Sequence, residues 1–167
     1  MLLDIVKYPI RILRKRSAKV TNIQSAEAQS FINNLKETMV EADGLGLAAN
    51  QVNRDWQILA VNHKTGPKVF INPIICWKSF KRVVMEEGCL SFPNVFGLVN
   101  RSKKAWVIYR DETGRLRFIK ADGLLARVLQ HEIDHLRGIL FIDKIFKYTK
   151  GENQVKEWIK QAKDDER

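Results

Sequence analysis

The sequence predicts a single α+β domain, with mixed or antiparallel sheets packed around a central helix and flanked by an N-terminal and a C-terminal helix. Three observations predict it. Apolar residues recur at helical spacing in three separate stretches. Between the first two lie short β-branched and aromatic runs divided by turn residues. No repeat, low-complexity tract or linker interrupts the 167 residues, so the unit is expected to span 1–167.

The first helix is expected over Ser25–Ala42. Ala28, Phe31, Ile32, Leu35 and Met39 recur every three or four residues, Ser25 suits the N-cap, and Asp43-Gly44 ends the run. Strands are expected over Trp56–Asn62, Val69–Ile75 and Val83–Cys89, with Lys64-Thr65-Gly66-Pro67 as the turn between the first two. Ala105–Tyr109 and Leu116–Ala121 read as a hairpin closed by Asp111-Glu112-Thr113-Gly114. The second helix is expected over Gly123–Leu136, with Asp122 as N-cap and Gly138 as the stop. Ile139–Phe141 reads as strand-like. The third helix, Glu152–Lys163, carries Val155, Trp158, Ile159 and Ala162 on one stripe.

Composition narrows the function classes. No apolar run approaches the roughly 20 residues that span a bilayer, so no membrane partner is expected. Residues 1–16 show neither a long apolar core nor a small-residue cleavage site, so neither a secretory signal nor a transit peptide is expected. The chain has two cysteines, Cys76 and Cys89, which fits a cytosolic protein with free or metal-bound thiols. A net charge of +10 suits either a solvated basic surface or contact with a polyanion such as RNA or the ribosome. The basic residues are scattered along the chain without a basic-aromatic motif, and no DNA partner is expected.

His131-Glu132-Ile133-Asp134-His135 carries the chemistry. Residues four apart share one helix face about 5–6 Å apart, so two imidazoles can face one metal ion. The intervening Glu132 can then act on a water molecule there. Two of the chain's three histidines lie in this motif. Leu124, Val128, His131 and His135 fall on one stripe, expected to face the core. A catalytic site needs a third protein ligand. A histidine six residues after His135 would supply it, but Phe141 stands there. Glu152 and Glu157 are available on the terminal helix, with nothing marking them as buried. Cys89, after Gly88 at the end of a strand, is the best third ligand. Cys76, beside Trp77, reads as a small core residue.

Three motifs together resemble those of the peptide deformylase family. They are Gly44-x-Gly46-x-Ala48-Ala49-x-Gln51, Glu87-Gly88-Cys89-x-Ser91, and Gln130-His131-Glu132-x-Asp134-His135-x-x-Gly138. The likeness extends to the N-terminal Ile5-Val6-Lys7-Tyr8-Pro9. It implies hydrolysis of the formyl group from N-formylmethionyl peptides, releasing formate during protein maturation. It implies Cys89, His131 and His135 as metal ligands, and Glu132 as the acid and base. It implies the Leu90 backbone N–H and the Gln51 side-chain amide as oxyanion donors. It also implies ferrous iron, with zinc, nickel or cobalt able to occupy the site. Ligand types alone would suggest zinc. A monomer in the bacterial cytosol, or in an organelle that formylates its initiator methionine, is the expected setting.

Other roles follow from position. Gly44 and Gly46 let an extended peptide lie close to the backbone, alongside Gly88. Met85, Leu124 and Val128 are expected to line the pocket for the substrate's methionine. Arg127, four residues before His131, interrupts the apolar pattern and is expected to reach the rim or face solvent. Gln130 and Asp134 are expected to orient the imidazoles, and Arg101 to pair with Glu87. Three other readings use the same residues: a same-fold protein acting on other acyl groups or on none, an H-E-x-x-H peptidase, and a ribosome- or RNA-binding module with a structural metal.

Overall fold

A computed structural model describes residues 1–164, so the last three residues of the expected 1–167 unit lie outside the described residues. α1 (Ala26–Glu41) starts where Ser25 Oγ accepts a hydrogen bond from the Ala28 N–H at 3.2 Å. It buries Ala28, Ile32, Leu35 and Met39. α2 (Gly123–His135) lies deeper, and every residue from Ala126 to His135 is buried. α3 (Glu152–Asp164) packs Val155, Trp158 and Ile159 against the third of three apolar clusters.

The strands form two antiparallel sheets. β1 (Gly46–Ala48), β2 (Ile58–His63), β3 (Gly66–Lys78), β6 (Lys104–Arg110) and β7 (Leu116–Asp122) make one, in the order β1-β2-β3-β6-β7. β4 (Arg82–Cys89), β5 (Phe92–Ser102) and β8 (Ile145–Lys150) make the other, with β5 in the middle. Strand side chains alternate between faces. Ile58 and Ala60 of β2 therefore join Ile32, Leu35 and Met39 under α1. Leu59 and Val61 join Leu129 and Ile133 of α2 on the other face. β1, β2 and the first part of β3 are thus held between α1 and α2. The short second sheet closes the far side of α2, where Phe92, Phe141 and Val155 form the third cluster.

Several expectations need correction. β1, β5 and β8 were not expected. Pro93, Asn94 and Gly97 break up the apolar pattern of β5, and β8 is half-buried at most. Phe141 belongs to a 3-10 turn, Phe141–Asp143, and Ile139–Leu140 pair with no strand. There Asp143 accepts the Leu140 N–H at 2.9 Å and pairs with Arg14, which ties the segment to the N-terminal arm. Asp122 has the extended backbone of an N-cap but makes no capping hydrogen bond; its carboxylate lies 3.6 Å from Lys104 Nζ. Gly138 does end the α2 region, at φ +73, and a Cβ there would meet the Arg14 carbonyl oxygen at 2.2 Å. Cys76 is exposed rather than in the core, because a register shift between Ile75 and Trp77 turns it outward.

Candidate metal centre

α2 carries both motif histidines on the face toward β4, with their rings 5.0 Å apart. β4 ends at Cys89, and the hairpin into β5 brings its thiol to 3.3 Å from His135 Nε2. One donor atom each from Cys89, His131 and His135 lies within 4.8 Å of the others. Ligands at about 2.0–2.3 Å from a tetrahedral ion sit roughly 3.3–3.8 Å apart, so a modest contraction would close this set on one ion. Beside this set two buried polar atoms, His135 Nδ1 and Glu132 Oε2, have no partner among the described residues. The arrangement fits a divalent cation. Glu152 and Glu157 are exposed on α3, away from this centre, and Glu152 pairs with Lys156.

Glu87 holds the first histidine. Its Oε2 accepts from His131 Nδ1 at 3.0 Å, which turns the ring's other nitrogen toward Cys89. Arg101 grips the same carboxylate through Nε at 2.7 Å and Nη2 at 3.0 Å, and reaches Asp134 at 2.6 Å through Nη1. Arg127 corrects an expectation. It is 5% exposed, donates to Glu87 Oε1 at 2.5 Å and to the Val99 carbonyl at 3.1 Å, and also bonds the Val83 carbonyl. It neither reaches the rim nor faces solvent, because Glu87 is a buried anion that needs a second cation. A cation on the stripe one turn before a ligand histidine was the available signal. Gln130 and Asp134 do not touch the imidazoles. Gln130 Nε2 bonds the Ser102 and Ala126 carbonyls, and Asp134 pairs with Arg101 and Lys144.

The two carboxylates at this centre differ in charge preference. Burial alone would raise the Glu87 carboxyl, but hydrogen bonds from His131 and Arg101 outweigh it and hold it well below the carboxylate range. Burial pushes Glu132 up to about 7; the cations of His131 and Arg101 oppose this, and the charges of Glu87 and Asp134 add to it. Burial disfavours charge on His131, yet bonding to Cys89 and Glu87 and the negative charge of Glu132 raise it to about 10. His135 is held down by burial and by the charge of His131. Of the two imidazoles, His131 is therefore the one whose charged form is favoured, and a bound cation would compete with its proton.

A cleft of about 570 Å³ opens in front of these groups. Gly44, Gly46, Met85, Gly88, Leu124 and Val128 all line it, as do Gln51 and Leu90. Leu124 is 50% exposed, so the expected core stripe begins at Val128 and Leu124 stands at the cleft mouth. Gly46 is tightly placed: a Cβ there would meet Glu132 Oε1 at 2.7 Å and Val128 at 2.8 Å. Its missing side chain makes room for the Glu132 carboxylate. Gln51 is buried on the 3-10 turn Ala49–Val52. Its Oε1 accepts from the Ala48 N–H at 2.9 Å, and its Nε2 faces Cys89 Sγ at 3.4 Å and Ser91 Oγ at 3.2 Å. The sequence reading missed Asn50, whose amide caps the His135 carbonyl at 2.7 Å, and Lys7, which bonds the Leu90 carbonyl at 2.6 Å.

The chain has known counterparts. The polypeptide deformylase family profile matches residues 2–151. A peptide deformylase of Syntrophobacter fumaroxidans is 42% identical over 168 residues, covering 98% of this chain and 97% of its own length. One of Helicobacter hepaticus is 39% identical over 171 residues, covering 96% and 93%. Among solved structures, Thermotoga maritima peptide deformylase superposes with a TM-score of 0.84 at 39% identity, covering 87% of this chain and 98% of that one. The Synechococcus elongatus enzyme in complex with actinonin gives 0.85 at 38% identity, covering 96% and 85%. With a family profile spanning most of its length and relatives near 40% identity across it, the chain belongs to the polypeptide deformylase family.

Proposed function

We propose that this protein hydrolyses the formyl group from N-formylmethionyl peptides as they are made, releasing formate. The observation that carries the proposal is the joining of Cys89, His131 and His135 in one donor set beside a buried Glu132 with a free oxygen. A divalent cation bound there would acidify a water molecule and polarise the formyl oxygen. Ferrous iron is the proposed ion, with zinc, nickel or cobalt able to replace it; that choice rests on the family resemblance.

The chain's own groups do the rest. Glu132, poised near pH 7, accepts a proton from the attacking water and delivers it to the departing amine. The Gln51 amide and the Leu90 N–H supply hydrogen bonds to the developing oxyanion. β1 is the edge strand of its sheet, paired with β2 alone, so an extended peptide has a free strand edge at Gly46. Met85, Leu124 and Val128 receive the methionine side chain. Glu87, Arg101 and Arg127 hold His131 in register. We place this reaction in the cytosol of a formylating cell, on a monomer in contact with the ribosome. No helix among the described residues is long and apolar enough to cross a membrane.

Formate release from formyl-Met-Ala by anaerobically prepared, iron-loaded protein tests the proposal. Turnover that disappears on chelation is the expected result. No formate from protein shown to hold one metal per chain would end it.

A further inference from the structure

α1 covers β1, β2 and the first half of β3, but the same face of β6 and β7 has no helix over it. Ile74 opposes Ile108, and Ile108 opposes Phe118; one row along, Trp77 opposes Trp106, and Trp106 opposes Lys120. Opposed residues share a face, so these side chains form one continuous outer surface. It is apolar and open: Trp77 is 40% exposed, Phe118 51%, and Phe80, at the β3–β4 turn beside them, is fully exposed. The aromatic rings form a ladder. Trp77 and Trp106 centroids are 4.7 Å apart, Trp106 and Phe118 5.9 Å, and Lys120 Nζ stands 5.0 Å over the Trp106 ring.

Charge decides what such a face can meet. From Trp56 to Met85 and from Gly88 to Arg110 the chain contains no Asp or Glu. Lys78, Lys81, Arg82 and Lys103 fall within these stretches, and backbone bonds between Ser79 and Lys104 and between Lys103 and Lys81 gather them at the Trp77 end of the ladder. Among the described residues none of these four, nor Lys120, is ion-paired. The acids at the ends of β6 and β7 are already held, Asp122 by Lys104 at 3.6 Å and Asp111 by Arg117 at 2.6 Å. A second copy of this chain would bring like charge to like charge across a two-fold axis. An acidic peptide would satisfy the lysines and leave the rings unused. Planar bases on a phosphate backbone satisfy both.

We propose that this face binds single-stranded RNA, with bases stacked on Trp77, Trp106 and Phe118 and phosphates on Lys120 and the β3–β4 turn. The choice of RNA over other single strands rests on the deformylase reading, since nascent peptides emerge from an RNA-built particle. The binding assay itself reads no deformylation, so the two can fail separately.

The test titrates the full chain into a fluorescein-labelled oligouridylate of about 12 nucleotides, following anisotropy and tryptophan emission between about 50 and 200 mM salt. Binding that quenches tryptophan emission and weakens steeply with salt is expected. Trp77→Ala and Phe118→Ala should each weaken it about tenfold, a typical loss for one stacked base. Lys81→Glu with Lys120→Glu should weaken it further and flatten the salt dependence. All four substitutions lie outside the cleft that Glu132 lines, and an unchanged far-ultraviolet circular dichroism spectrum reports that each variant is folded. No binding at the lowest salt overturns the proposal. So does binding unaffected by the aromatic substitutions, which is polyanion attraction alone. A dimer in sedimentation that Trp77→Ala dissociates overturns it as well, by showing a second copy on the face.

Discussion

Glu87 and Glu132 are buried within one candidate metal centre, and the fold treats them in opposite ways. Glu87 sits behind the ligands. Both of its oxygens are taken by Arg101, Arg127 and His131, and its proton affinity is driven far down. Glu132 stands in front, in the space that Gly46 leaves open, with one oxygen unpartnered and its pKa raised to about 7. A carboxylate that must hold a ring still is surrounded by fixed donors. One that must take and return a proton is buried with few partners. Roles follow from what each side chain can reach, because the acid is chemically the same.

The first way to break this contrast removes the moving proton. Glu132→Gln keeps the shape and lowers kcat by about 10²–10⁴-fold, the range of general acid–base assistance. Metal content should stay near wild type. A variant that retains full turnover would show that another group carries the proton.

Removing the fixed anion should do something else. Glu87→Gln leaves Arg101 and Arg127 as buried cations short of a counter-charge, which costs about 3–5 kcal/mol of stability. It also frees the His131 ring, lowering metal affinity about 10–100-fold. Arg127→Met removes one of the two guanidinium partners, and its loss in denaturant unfolding should be smaller, about 1.5–3 kcal/mol. Competition with a metal indicator and denaturant titration separate the two effects. Unchanged metal affinity in Glu87→Gln would reduce Glu87 to a structural ion-pair partner.

The pH dependence of stability sharpens the comparison by sign. Glu87 has a lowered folded pKa. Its contribution to stability is present above the ordinary carboxylate value of 4.5 and is lost as pH falls below it. Glu132 has a raised folded pKa. Its contribution is present below 4.5 and is lost as pH rises through about 7. In metal-free protein, the stability difference between wild type and Glu132→Gln should therefore shift against wild type between pH 4.5 and 7. A flat difference across that window would mean that Glu132 is not held in the neutral form.

Much of this was legible in the chain. The three helices are expected within one or two residues of where they lie, because each carries an apolar stripe at helical spacing with punctuation at its ends. β5 was not legible: its Pro93, Asn94 and Gly97 read as loop, and only pairing on both sides with β4 and β8 makes it a strand. Arg127 was misplaced for a related reason. Periodicity marks a residue as inward or outward, but an inward cation makes sense only once Glu87, forty residues earlier, lies beside it. The basic and aromatic residues of the sheet's outer face were scattered in the sequence and became one surface when β3, β6 and β7 paired.

By itself the sequence determined the α2 chemistry, two imidazoles and a carboxylate on one helical face, since spacing along one helix is a local property. Its three motifs determined the family. Tertiary structure alone decided which carboxylate is held as an anion and which is pushed toward its neutral form. Proton affinity depends on every charge and donor within a few ångströms, and folding brings those groups together from distant parts of the chain.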